Sequence, residues 1–370
     1  MQNYNPYKNK NEYKYIRKVL DKRKFADGYF QKRCNLLLEK ILKSNHISVT
    51  QSGSDALEVC SLILKLKKKD EIILPSFTFS TTLNSFLQHG AKPVFCDIHE
   101  ENLCIDLNKA EKLITVNTKA IYLVHYGNNI CDLDKAKYLK KKYNLYLVED
   151  AAHSIFSKYK NKYAGTIGDL GAYSFHETKN ITSGQGGAIS VNNKLFSKRA
   201  KIILEKGTDR VNLIEKNFSY YNRKDLGSEF KMAELPAALL YSQIKKRELI
   251  KKKREKIYNF YLKFINKINT ELVHVLTIQK NINTNYHLFC LIFKNQKIDK
   301  KFYNYMSING VPVATHYYPL HFSINNKIKL PITESIFNRI LRLPLNVNLK
   351  KKELNKIKKL IINFFLKCVE

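Results

Sequence analysis

The chain of 370 residues has no tryptophan, only eight prolines, 13 glycines and seven cysteines, and about half as many acids as bases, 32 against 65. Each shortage removes a class of explanation. Cys34, Cys60, Cys96, Cys104, Cys131, Cys290 and Cys368 are scattered, odd in number and never spaced C-x-x-C. That pattern supports neither a disulfide framework nor a structural zinc site. Cys96 follows Phe95 and Cys290 follows Phe289, apolar settings in which a free thiol packs as a small hydrophobe. Residues 1–10 lack the apolar core of a signal peptide, and no run approaches a membrane span in length, so a cytoplasmic protein is expected. There is no internal repeat and no low-complexity linker.

Positive charge is what the chain has in excess. A formal net charge of +33 suits nucleic acid, an acidic membrane surface or an anionic small substrate. The surplus is mostly lysine, in company with many Asn, Ile and Tyr, as an AT-rich coding sequence would produce. Arginine, which reads phosphates and bases in bidentate fashion, is scarce. The basic stretch 245–256 is interleaved with Ile244, Leu249, Ile250, Ile257, Phe260, Tyr261 and Phe264 at helical spacing, which predicts a solvated helix face. A phosphorylated small ligand is therefore expected, without a nucleic-acid or membrane partner.

With 44% hydrophobic and 12% aromatic residues, the chain is long enough for two cores. From residue 47 onward, strand and helix patterns alternate. Strands are expected at 47–50, 71–74, 92–96, 120–124 and 145–148, and helices at 56–66, 81–88, 107–114 and 133–142. Continuous apolar strands separated by helices predict a mostly parallel α/β sheet covered on both faces. Ligands of such sheets bind beyond the C-terminal strand ends. A long helical region is expected to open near 226–235. Beyond it, strand patterns at 286–293 and 311–315 and helices near 301–308, 334–341 and 351–366 suggest a smaller C-terminal α/β domain. The expected division is 1–245 and 246–370.

One stretch organises the rest. Tyr173-Ser174-Phe175 leads into a polar turn holding Lys179, and Gly184-Gln185-Gly186-Gly187 precedes a second apolar run, 188–191. Clustered glycines indicate a backbone that leaves the usual φ/ψ regions or passes close to something bound. Upstream, the strand pattern 145–148 ends in Glu149-Asp150-Ala151-Ala152-His153. A carboxylate at a strand end and a lysine in a glycine-flanked turn suit pyridoxal 5′-phosphate, whose aldehyde needs an amine and whose pyridine nitrogen needs an anion. A structural acid and a solvated lysine would look the same in isolation. His153 either packs on the cofactor ring or satisfies a strand end. Ser54, before a helix pattern, and Ser174 could each donate to a phosphate. Phe79 could cover a ring or belong to the core.

Four segments together resemble one family. Pro75-Ser76-Phe77-Thr78-Phe79, Val148-Glu149-Asp150-Ala151-Ala152-His153, Ser174-Phe175-His176-Glu177-Thr178-Lys179-Asn180 and Tyr318-Pro319-Leu320-His321 are similar to those of the DegT/DnrJ sugar aminotransferases. These are pyridoxal-phosphate enzymes of fold type I acting on nucleotide-linked keto-sugars, and the resemblance spans residues 25–345. It implies that Lys179 forms the Schiff base, Asp150 pairs with the pyridinium, His153 contacts the ring and Phe79 stacks on it. Ser174 and the backbone at Ser54 and Asp55 would hold the phosphate. Ser228 would reach the cofactor of a neighbouring subunit, which implies a homodimer with shared active sites. His316, Tyr318 and His321 would contact substrate, and no metal is implied.

Within the family, 175–180, 205–210 and 225–228 look most like the branch that aminates dTDP-4-keto-6-deoxyglucose with L-glutamate, giving dTDP-4-amino-4,6-dideoxygalactose for polysaccharide or lipopolysaccharide biosynthesis. Amination at the third sugar carbon, or a non-transaminating regulatory relative, are the alternatives. Gln185 stands where the family usually has Glu, and Ala26 where it usually has Gly.

Overall fold

The computed structural model describes residues 4–210, 219–268 and 270–367; Cys368 and the first three residues of the polar N-terminal stretch lie outside them. Two helices, Asn11–Lys22 and Tyr29–Leu42, precede the first strand. The start of the second has no side-chain cap of its own. Glu234 caps it from across the chain, accepting the Phe30 and Gln31 N–H groups at 2.9 and 2.7 Å.

Strands β1 (Ile47–Thr50), β2 (Glu71–Pro75), β3 (Lys92–Cys96), β4 (Thr118–Val124) and β5 (Tyr146–Asp150) alternate with helices Gly53–Ile63, Ser80–Leu87, Leu107–Lys112 and Leu133–Tyr143. A short hairpin, β6 (Lys158–Tyr159) and β7 (Lys162–Tyr163), precedes β8 (Leu170–Ser174) and β9 (Gly187–Val191). Seven of these strands form one sheet in the order β1-β9-β8-β5-β4-β2-β3. Only β9 runs against the rest, pairing antiparallel with both β1 and β8. The continuous apolar strands serve both faces, as the twofold side-chain alternation requires. Leu74, Tyr122 and Val148 pack into one buried cluster, and Ile73, Ile121, Leu123 and Leu147 into the other. Fold class and the mostly parallel sheet are thus as the sequence implies.

The C-terminal part adds β10 (Val273–Val275), β11 (Ile282–Asn283), β12 (Phe289–Phe293) and β13 (Ile340–Leu343). An antiparallel sheet in the order β10-β12-β13 packs with helices Gln296–Ile308 and Lys351–Lys367, and its apolar cluster draws only on residues from Ile257 onward. β11 pairs with β6 and so ties the two parts together.

Three local expectations fail for tertiary reasons. Residues 340–341, expected to end a helix, instead pair with β12, which buries Ile340 and Leu341 completely. Residues 311–315 form no strand; Ala314 alone bridges Arg342. The segment 226–233 is not helical; its residues 230–232 pair with the end of β1, where Gln51 N–H donates to the Phe230 carbonyl at 2.9 Å. The helix therefore starts later, as Glu234–Ile244 with Pro236 in its first turn, and a break at 245–246 separates it from Arg247–Ile265. Among the described residues, six cysteines are free and buried, and no helix is long and apolar enough to cross a membrane.

Candidate active site

Because β1, β2, β4, β5 and β8 run parallel, the residues that follow them collect at one edge of the sheet. A cavity of about 450 Å³ opens there. Of the residues singled out by sequence, Lys179, Asp150, His153, Ser174, Ser54, Phe79 and His316 line it.

Asp150 ends β5 and is 6% exposed. Its carboxylate accepts from the Thr82 hydroxyl at 2.7 Å and the Ala152 N–H at 3.1 Å, both neutral donors. Thr82 is held in turn by Thr78, with hydroxyls 3.0 Å apart. No cation among the described residues forms an ion pair with Asp150, so a buried charge is left for a cationic ring nitrogen to balance. The neighbouring acid has a structural task. Glu149 accepts from His125 Nε2 at 2.9 Å, from Gly165 N–H at 2.8 Å and from Ile167 N–H at 2.7 Å, which pins the loop before β8. His125 passes that order on, since its own N–H donates to the Asp150 carbonyl.

Lys179 sits in the turn between β8 and β9. Burial of the amine brings its pKa down to about 8, against the opposing pull of Asp150 and with the help of Arg342. The adjacent Asn180 anchors the turn: its Nδ2 donates to the Asn285 carbonyl at 2.8 Å, and its Oδ1 accepts from His287 Nδ1 at 2.8 Å. His153 accepts from Gly127 N–H through Nδ1, so its proton lies on Nε2, facing the Tyr317 hydroxyl at 3.2 Å. Burial first, then Lys179 and Arg342, push its pKa well below the ordinary histidine value. It is a neutral ring at physiological pH, flanked by His287 at 4.4 Å between centroids. Phe79 is 57% exposed at the cavity mouth, 6.4 Å from the Tyr317 ring.

Another part of the cavity lining favours an anion. Ser52 caps helix Gly53–Ile63, and the Ser174 side chain lies against Gly53, where an added Cβ would come within 2.9 Å of Ser174 Cβ. Peptide N–H groups at a helix start together with two serine hydroxyls make a phosphate cradle. The glycine cluster has a different purpose from the one its composition suggests. Gly184 takes a φ of +80°, and a Cβ on Gly187 would strike the Ser52 carbonyl at 2.3 Å, so β9 closes on the protein's own cradle turn. A buried carboxylate, an anion cradle and a lysine amine of depressed pKa in one cavity fit pyridoxal phosphate.

Three expected contacts fall elsewhere. Asp55 does not line the cavity. Its N–H is taken by Ser52 Oγ at 3.0 Å, and an acid three residues after the cap steadies the helix start. His321 is wholly buried outside the cavity, with Nδ1 2.7 Å from Ser76 Oγ and Nε2 3.3 Å from Glu334, so it fastens 319–321 to the end of β2. Tyr318 is 60% exposed and packs edge-on against Phe322 and Phe337 instead of entering the cavity. Ser228, expected at a neighbouring copy's cofactor, is exposed and lines no part of its own chain's cavity. Conversely Tyr317, His287, Arg254 and Arg342 line the cavity without having been singled out. Arg254 had a signal: it lies at helical spacing between Ile250 and Ile257, on the apolar face of the basic helix. It is buried there, donating to the Tyr286 and His287 carbonyls at 2.8 and 2.6 Å. The basic face was solvated in general but not at this residue.

Comparison with known proteins agrees with this geometry. Residues 6–361 match the DegT/DnrJ/EryC1/StrS aminotransferase family. A UDP-4-amino-4,6-dideoxy-N-acetyl-beta-L-altrosamine transaminase of Campylobacter jejuni is 30% identical over 85% of this chain and 84% of its own. A GDP-perosamine synthase of Escherichia coli O157:H7 is 29% identical over 92% of each chain. The solved aminotransferase of Helicobacter pylori involved in pseudoaminic acid biosynthesis superimposes with a TM-score of 0.90, at 25% identity and 99% coverage of both chains. With the match running through nearly every element that shapes the cavity, the chain belongs to the DegT/DnrJ/EryC1/StrS aminotransferases, enzymes that depend on pyridoxal phosphate.

Proposed function

We propose that the protein transfers the amino group of L-glutamate to a nucleotide-linked 4-keto-6-deoxy sugar, in the cytoplasm, as a homodimer. The observation that carries this is the buried Asp150 carboxylate, served only by neutral donors, in the same cavity as a lysine with a depressed pKa. The relatives support a sugar acceptor, since their names specify a perosamine and a 4-amino-4,6-dideoxy sugar. They carry GDP and UDP, so the dTDP sugar suggested by residues 175–180 and 205–210 is one of three nucleotides to test. Free buried cysteines suit a reducing compartment.

In this reading Lys179 holds the cofactor covalently, Asp150 bonds its pyridine nitrogen, and neutral His153 packs on the ring with Phe79 at the mouth. Ser54, Ser174 and the first amides of helix Gly53–Ile63 take the phosphate, and Ser228 reaches that of the neighbouring copy. When bound, the cofactor supplies an electron sink for the carbon that loses its proton. Lys179, whose amine has its pKa brought down to about 8, would take the proton from the donor's α-carbon and would return one to the sugar carbon in the second half of the cycle. His316, its Nδ1 2.9 Å from the Tyr126 hydroxyl, lines the same cavity and would contact the sugar. The test is incubation with L-glutamate and dTDP-, GDP- and UDP-linked 4-keto-6-deoxy sugars, reading 2-oxoglutarate and the amino-sugar mass. Formation of 2-oxoglutarate without amination of any 4-keto sugar, but with a 3-keto sugar aminated, would replace this acceptor.

A further inference from the structure

One cation in the cavity has no task in the proposed machinery. Arg342 lies in β13 with its main chain locked on both edges. It pairs with Cys290 of β12, while its N–H donates to the Ala314 carbonyl at 2.8 Å and its carbonyl accepts from Ala314 at 3.2 Å. The side chain lines the cavity. Its Nε is buried without a hydrogen-bond partner, and Nη2 makes only a 3.5 Å approach to the Thr315 carbonyl. Arg199, Arg210 and Arg339 each pair with an acid. Among the described residues, no acid pairs with Arg342. Arg254, the other arginine of the cavity, spends its donors on two carbonyls.

A half-buried guanidinium with an idle donor is costly unless a ligand completes it, and its planar fork matches a carboxylate. Arg342 lines the same cavity as Lys179, and Ala314, to which its main chain is bonded, lies two residues before His316, whose ring is 6.0 Å from that of His153. In an α-amino acid the carboxylate is bonded to the carbon that carries the amine, so an anchor in the cavity that holds Lys179 is in reach of it. The diphosphate of a nucleotide sugar is separated from a C4 carbonyl by the whole sugar ring and falls elsewhere. We infer that Arg342 is a specificity-determining residue that binds the α-carboxylate of the amino donor. The inference rests on the aminotransferase reading but not on the identity of the sugar.

The test uses the cofactor-loaded enzyme and the donor half-reaction alone, followed by absorbance, with L-glutamate and with 4-aminobutyrate, which keeps the distal carboxylate and lacks the α-carboxylate. The wild type should prefer glutamate. Arg342→Gln should raise the KM for glutamate by roughly 10- to 100-fold, the worth of a charge-assisted hydrogen bond, while leaving 4-aminobutyrate within about threefold by the same reasoning. Arg342→Lys should recover part of the loss. Binding of 2-oxoglutarate by calorimetry should weaken in parallel, independently of turnover. Unchanged glutamate KM in a folded Arg342→Gln protein would overturn the inference, and so would a rise confined to the keto-sugar KM. Absence of sugar amination with an intact donor half-reaction would instead count against the proposed acceptor and leave the arginine test readable.

Discussion

At the scale of single residues, the site works by placing charges where burial makes them consequential. Lys179 loses proton affinity because its amine is buried, while Asp150 pulls the other way. The sign gives a direct expectation. An amine must be neutral to capture an aldehyde, so uptake of pyridoxal phosphate by the apoprotein should rise with pH through about 8 and level off above it. A curve still climbing toward the ordinary lysine value of 10.5 would contradict the depressed pKa. Asp150→Asn keeps the shape and removes the charge. Loss of one charge-assisted hydrogen bond, about 1.5–3 kcal/mol, should cut turnover by roughly 10- to 150-fold while cofactor remains bound, as steady-state kinetics and the cofactor spectrum would show. Near-normal rates would release Asp150 from its role.

At the scale of elements, the cavity exists because neighbouring chain segments approach more closely than side chains would allow. Gly53 is such a close approach on the cradle side: a methyl group there must displace Ser174, whose backbone is also within 3.3 Å of the added Cβ. Gly53→Ala should weaken cofactor retention by about 5- to 100-fold, the usual cost of overpacking, measured by equilibrium dialysis. Glu149 is the fastening on the other side. Glu149→Ala strands His125 and the amides of 165 and 167 without an acceptor, and should lower stability by about 3 kcal/mol or more. Denaturant unfolding would show this, and a variant as stable as wild type would show that the loop before β8 is held by something else.

The parts legible in the sequence are those set by local pattern. β3 falls on the residues its apolar run marks, and the lysine turn lies between two strands as its flanking runs require. What was illegible depends on contacts distant in sequence. Residues 340–343 become a strand because β12 lies beside them, and 226–233 stays out of the helix, its residues 230–232 bonded to the end of β1. His321 looks like a ligand-binding histidine until Ser76, 245 residues away, is seen to hold it. Arg342 carries no local signature at all, since its idle donor becomes apparent only when every neighbour has been placed.

At the scale of the whole molecule, the C-terminal part has one apolar cluster of its own, but Leu288, Cys290, Ile292, Ile336 and Ile340 pack into a core of the large sheet, and the two parts share the site. Arg254, His287, His316 and Arg342 come from the C-terminal part and face Lys179, Asp150 and His153 from the large sheet. The proposed division at 245/246 coincides with the break between two helices, although Ile250 still packs with the N-terminal core and the separate C-terminal cluster begins at Ile257. The exposed Ser228, outside its own cavity, is the residue through which the proposed dimer would complete a neighbour's site. Sedimentation should give twice the 43.2 kDa chain mass. Mixing Lys179→Ala with Ser228→Arg chains should then yield hybrids with one restored site, whereas a monomeric active enzyme would dispose of shared sites.

The central claim is that Lys179 carries the cofactor, and the measurement that meets it most directly is borohydride reduction of the purified holoenzyme followed by peptide mapping. The account predicts a visible absorption band that collapses on reduction, with the reduced cofactor covalently on the peptide containing Lys179 and on no other. A Lys179→Ala protein that folds normally should carry no label. A label on a different lysine, or none on a protein that still forms 2-oxoglutarate from glutamate, would contradict it.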